Sequence, residues 1–131
     1  MTVKSSEHPL VDRWREILTL HARTMCELDR ELHRYGLGVS DFEVLDVLAE
    51  YEEQGRVGEH RVQEIAARVH LSQSALSRLI GRLERDGLVE RGMCARDRRG
   101  VQVRLTPKGR EAHAGALPAQ RAVLGRTLRE A

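Results

Sequence analysis

The residues with the clearest chemical potential lie between positions 72 and 104. Ser74, Ser77, Arg78, Gly81, Arg82 and Arg85 recur at offsets of 3, 4, 7, 8 and 11 from Ser74, so on a helix they share one side, polar, basic and slim. Ser72 is suited to cap that helix, and Gln73 at its start is suited to adenine N6/N7 or to phosphate. Such a face offers donors to phosphates and base edges without bulk, which is what a helix needs to enter a major groove about 12 Å wide. A second group follows at once. Asp97, Arg98 and Arg99 stand in a charged turn, Ala95 to Gly100, where a guanidinium can seek the enhanced negative potential of a narrow minor groove. Asp97 beside them can hold an arginine in one orientation by a charge-assisted hydrogen bond.

The elements that must position these groups follow from periodicity. Leu10, Val11, Trp14, Ile17, Leu18, His21, Met25, Leu28, Leu32 and Tyr35 form one apolar stripe on a first helix, stopped by Gly36 and Gly38. Some 26 residues of helix span ~39 Å, more than a compact domain of this size buries by itself, which points to a partner chain. Ser40 and Glu43 have capping-box spacing for a second helix, apolar on more than one side through Phe42, Val44, Leu45, Val47, Leu48 and Tyr51, and therefore central. Ile65, Ala66 and Val69 mark a short third helix ending near His70. A fourth starts almost immediately after Ser72, turns Ala75, Leu76, Leu79, Ile80 and Leu83 inward, and ends at Gly87. Two strands are predicted next, Leu88 to Met93 and then Val101 to Leu105 with period-two alternation. Thr106 and Pro107 open a last helix, which Pro118 is expected to bend or loosen. The fold class is mainly α with a small β-hairpin wing (α+β): two short helices with a tight connection, then a basic hairpin, is the order of a winged helix-turn-helix.

Bulk properties narrow the function. The 131 residues suffice for a single domain, with 40% hydrophobic and 32% charged residues, a soluble globular composition. Aromatics are only 3%, too few for a platform that stacks single-stranded bases. Net charge is only +2, but it is unevenly spread: seven acids against Arg56 between Leu37 and Glu59, and eight arginines against four acids between Ser72 and Arg104. The basic end is where polyanion contact is expected. Met1 to Leu10 contains no apolar signal region and no window approaches a bilayer span, so a cytoplasmic protein is expected. Cys26 and Cys94 have neither disulfide-framework nor zinc spacing, and the six histidines show no ligand spacing, so no cofactor or metal is expected. The chain has no Gly-rich phosphate loop, no G-x-S-x-G and no H-E-x-x-H, which argues against an enzyme.

Asp97-Arg98-Arg99-Gly100-Val101-Gln102-Val103-Arg104-Leu105-Thr106 resembles the D-x-R-x-x-x-V-x-L-T wing signature of the MarR (multiple antibiotic resistance regulator) family. Ser72 to Leu83 and Gly87 to Arg91 resemble its recognition helix and first wing strand. The resemblance implies that Arg99 reads the minor groove with Asp97 orienting it, while Ser74, Ser77 and Arg78 face the major groove. It also implies a homodimer built on helices at about 9–36 and 106–131 around a DNA-binding lobe at about 40–105, a pseudo-palindromic duplex target and, more often than not, repression. Family members usually carry a further C-terminal helix in the dimer, whereas this sequence ends at Ala131, so either a dimer with fewer contacts or a shortened chain is expected. A small phenolic or anionic effector is the third implied partner; Trp14, His21 and Phe42 are candidate cleft residues, although aromatic residues on an apolar stripe are commonly plain core. Two alternatives stand beside this reading: a winged helix used for protein contact, and a redox-sensing module in which Cys26 responds, with Arg23 and Arg30 within about a turn or so of it.

Overall fold

The computed structural model describes residues 8–56, 61–94 and 97–129, with backbone only for 93–94 and 97–101. Its elements run α1 (Pro9–His33), α2 (Val39–Glu53), α3 (Val62–Val69), α4 (Gln73–Arg85), β1 (Val89–Cys94), β2 (Asp97–Leu105) and α5 (Pro107–Leu128). This is a mainly helical winged helix-turn-helix with one antiparallel hairpin.

The core gathers on α2. Phe42, Val44, Leu45, Val47, Leu48 and Tyr51 are all buried, and α1, α3, α5 and β2 pack around them. Ile65 of α3, Leu76, Ile80 and Leu83 of α4, Val103 and Leu105 of β2, and Val123 of α5 complete it. Burial on several sides explains why α2 shows no single apolar stripe.

The capping of α2 differs from the expected Ser40–Glu43 box. The helix begins two residues earlier, after Gly38, and the Asp41 carboxylate accepts from the Gly38 N–H at 2.7 Å. A carboxylate three residues into the helix satisfies a free donor there as well as Glu43 would, and Asp41 is already held in place by Arg82.

Only the second half of the α1 stripe reaches this core. Thr24, Leu28 and Leu32 are buried, whereas Leu10 is 84% exposed and Trp14 57%. α1 packs along α5, where Arg126 pairs with Glu27 at 3.2 Å and Arg23 donates to the Thr127 carbonyl at 3.4 Å. α2 meets α5 through Asp46, which receives His113 at 2.7 Å and Arg121 at 3.2 Å, while the His113 ring stacks on Phe42 with centroids 5.3 Å apart. α5 is one continuous helix across Pro118, with Ala116 and Gln120 buried on either side of it.

The hairpin is longer than its apolar alternation implies. β2 starts at Asp97 rather than Val101, with Val89 opposite Leu105, Met93 opposite Val101, and a register shift between Met93 and Cys94. Of the charged stretch only Asp97 has a partner, Cys94 beyond the register shift, so this part of the strand follows no regular period-two pairing. Of the expected turn, residues 95–96 lie outside the described residues, as do 57–60 of the loop before α3, residues 1–7, and 130–131 of the last expected helix. An isolated bridge between Arg61 and Gln102 ties the start of α3 to the hairpin.

Candidate nucleic-acid interface

The turn between α3 and α4 is set by backbone chemistry. His70 closes α3 in the left-handed region, at φ 58° and ψ 42°, and the Leu71 N–H reaches back to the Ala66 carbonyl at 3.2 Å. Ser72 then caps α4, its Oγ accepting from the Ala75 N–H at 3.1 Å. Leu76, Leu79, Ile80 and Leu83 fix the inner side of α4 against the core, which leaves Gln73, Ser74, Ser77, Arg78, Arg82 and Arg85 exposed. The outer face contains no apolar side chain larger than the half-buried Ala75.

The arginines of this region divide by what holds them. Arg78 and Arg85 make no ion pair or side-chain hydrogen bond among the described residues, so their charge is free for an outside anion. Arg82 is different. It pairs with Asp41, and since Asp41 also takes the Gly38 N–H, one largely buried carboxylate ties α4 to the start of α2. Arg104 is paired with Glu90 across the hairpin at 2.6 Å. Arg91 on β1 turns back onto α4: its Nε donates to Glu84 Oε1 at 3.2 Å and its backbone N–H to Glu84 Oε2 at 3.3 Å. Its Nη2 lies 3.3 Å from where a Cβ on Gly81 would sit, so the guanidinium covers the middle of the outer face of α4. Arg91 and Asp41 were not legible as site residues, because nothing in their local pattern announces partners seven and forty-one residues away.

Of the wing residues, Asp97, Arg98 and Arg99 are placed by backbone on β2; their side chains lie outside the description. The three candidate cleft residues are not brought together. Phe42 is fully buried in the core and therefore cannot line an open cleft, while Trp14 and His21 are exposed on α1. A different groove, of about 580 Å³, opens between α1, the start of α2 and α4, lined by Met25, Cys26, Asp29, Ser40, Asp41 and Arg82 among others. Cys26 is thus exposed at a groove, while Arg23 is directed away to α5. Among the described residues no cluster of His, Cys, Asp and Glu is arranged to hold a metal, and no helix is long and apolar enough to cross a membrane.

Comparison with known proteins gives the same architecture. The family model described as "MarR family" matches residues 35–100. Curated protein sequences gave no significant match. Among solved structures, the chain is similar to AbsC, a MarR family transcriptional regulator from Streptomyces coelicolor, with 30% identity, a TM-score of 0.82, and 98% of this chain and 84% of that one covered. Sco3205, a MarR family regulator from the same organism solved in complex with DNA, is 28% identical with a TM-score of 0.82, covering 99% and 78%. CouR from Rhodococcus jostii, solved with p-coumaroyl-CoA, is 25% identical with a TM-score of 0.80, covering 92% and 81%. The basic, unobstructed face of α4, the hairpin that follows it and these matches lead to one conclusion: the chain belongs to the MarR family of DNA-binding transcription regulators.

Proposed function

We propose that the protein is a sequence-specific repressor that binds a pseudo-palindromic duplex as a homodimer, with α4 in the major groove. The observation that carries this reading is the outer face of α4, where Gln73, Ser74 and Ser77 stand exposed around an Arg78 that no acid among the described residues neutralises. Ser72 serves as cap and neighbour of that face. Asp97, Arg98 and Arg99 extend it into the minor groove, in keeping with their position on the hairpin. Arg82 belongs to the frame of the site through Asp41 rather than to its contact surface. The second copy covers the outward α1 stripe together with Leu128 of α5, and two-fold symmetry then sets two half-sites about one helical turn apart.

An effector site is supported by the groove at Met25, Asp41 and Arg82, which joins α1 to the recognition helix, and by the bound p-coumaroyl-CoA of the similar CouR. The test of the central reading is a fluorescence-anisotropy titration against the duplex upstream of the protein's own coding sequence and a scrambled control, at two salt concentrations. A specific regulator prefers the native duplex by ~10³-fold or more. Equal, salt-sensitive binding to both would leave only a basic surface, and transcription from that promoter in vitro, with and without protein, decides repression.

A further inference from the structure

Arg91 sits on the first wing strand, in a position that a reading of the sequence assigns to the β-sheet. Its guanidinium nevertheless lies against α4, close enough to Gly81 that a Cβ there would be 3.3 Å from Nη2. On a helix, Gly81 lies seven residues from Ser74 and three from Arg78, in the middle of the exposed polar face. The missing side chain at Gly81 therefore lets the Arg91 guanidinium come close against this face. Glu84 fixes the pose from one side only: its carboxylate takes Nε and the backbone N–H, and neither Nη nitrogen has a hydrogen-bond partner among the described residues. The pair is half open to solvent, with side-chain exposures of 35% for Arg91 and 42% for Glu84.

We propose that Arg91 is a DNA-contacting residue, delivered by β1 to the recognition-helix face and oriented by Glu84, and that its ligand is a phosphate of the groove wall. The inference rests on the reading that α4 enters the major groove. In a helix-turn-helix the start of the recognition helix reaches the base edges, and Gly81 lies two turns further along, where the helix passes the backbone. An arginine whose Nε edge is already satisfied presents the end of its fork, which suits a phosphate oxygen. The protein thereby gains a cation on this face that α4 itself does not encode.

The experiment is a salt titration of binding to a random-sequence duplex of about 30 base pairs, where phosphate contacts supply essentially all of the affinity. Arg91→Gln should bind several-fold more weakly at low salt, and the slope of log K against log salt should shrink by ~0.9 for each phosphate that is no longer neutralised. Arg91→Lys should keep the wild-type slope. Glu84→Gln breaks the same ion pair but leaves the cation, so it should bind as tightly as wild type or more tightly. If Glu84→Gln and Arg91→Gln weaken binding alike, Arg91 is only a tie between hairpin and helix and the proposal is overturned. Should Arg91→Gln fail to fold, Arg91→Met, which keeps the aliphatic stem against α4 and removes the charge, is read for the same loss of slope. An unchanged slope in Arg91→Gln with a reduced one in Arg78→Gln would refute Arg91 and leave α4 in the groove; unchanged slopes in both would remove α4 from the groove and the proposal with it.

Discussion

Arg78 and Arg82 are four residues apart on α4, both exposed enough to look interchangeable in a sequence, and they answer to different partners. Arg78 has no acid to hold it among the described residues, whereas Arg82 shares Asp41 with the Gly38 N–H. Removing Arg82 strands a carboxylate whose own exposure is only 11%, so Arg82→Ala should cost about 1.5–3 kcal/mol of stability, the range for a hydrogen bond to a charged group. Arg78→Ala should leave stability within about 0.5 kcal/mol and weaken DNA binding instead. Urea denaturation paired with anisotropy separates the two; an Arg82→Ala protein of wild-type stability that loses DNA affinity would return Arg82 to the contact surface. Glu43 gives a second test at this scale. Its burial pushes the carboxyl above the usual range, Asp46 and Glu50 push the same way, and Arg121 opposes them. The folded protein then holds this proton more tightly than the unfolded chain does. Stability from Glu43 is full below the ordinary carboxylate range and is lost as pH rises through the raised folded value. Glu43→Gln should match wild type near about pH 4 and exceed it near about pH 7 in the urea midpoint; a constant difference across that range would show that the effect is not protonation.

The elements are joined more tightly at one point than their spacing conveys. Thr106 caps α5, accepting from the Gly109 N–H at 3.0 Å, and its own hydroxyl donates to the Gly87 carbonyl at 2.6 Å. Lys108 reaches the Asp86 carbonyl at 2.9 Å, so the end of α4 and the start of α5 form one joint. Gly109 makes it possible: a Cβ there would lie 1.9 Å from the Leu88 carbonyl oxygen, a backbone atom that cannot swing aside. Gly109→Ala should therefore destabilise by about 1–3 kcal/mol, the cost of overpacking, as read from the urea midpoint; a neutral result would mean that α5 slides freely against α4. Every helix is legible in the sequence, since each has apolar residues at helical spacing and most have a recognisable end, such as Ser72 or the Thr106–Pro107 pair. The outer face of α4 is legible too, from six positions. Contacts between elements are not. The Asp41–Arg82 tie, the Glu84–Arg91 fork and the burial of Phe42 depend on which faces meet, and one helix's period carries no information about another's position. The first four residues of β2 escape because Asp97-Arg98-Arg99-Gly100 carries no apolar alternation in the sequence.

For the molecule as a whole, the most informative surface is the one the fold leaves bare. Val11, Trp14, Ile17 and Leu18 are all exposed on α1 beside Leu10, at steps that keep them on one side, and Leu128 is exposed on α5, which packs along the same helix. A contiguous apolar patch of this kind on a soluble domain marks an interface. Under the proposed homodimer the occupant is a second copy, because a two-fold axis along α1 would bring each stripe against itself and place two α4 helices on one side of a duplex. Each buried aliphatic or aromatic side chain at such an interface contributes roughly 1.5–3 kcal/mol, so a charge in its centre should be decisive. Trp14→Glu and Ile17→Glu are expected to give monomers by analytical ultracentrifugation at micromolar concentration. They should melt as cooperatively as wild type, since neither residue belongs to the core of its own chain. Binding to a two-half-site duplex should fall steeply in these variants, while binding to a single half-site duplex should be little altered. A pair of variants that stays dimeric would move the interface off α1; variants that become monomeric and still bind the full site at wild-type affinity would show that the two α4 helices are not coupled through it.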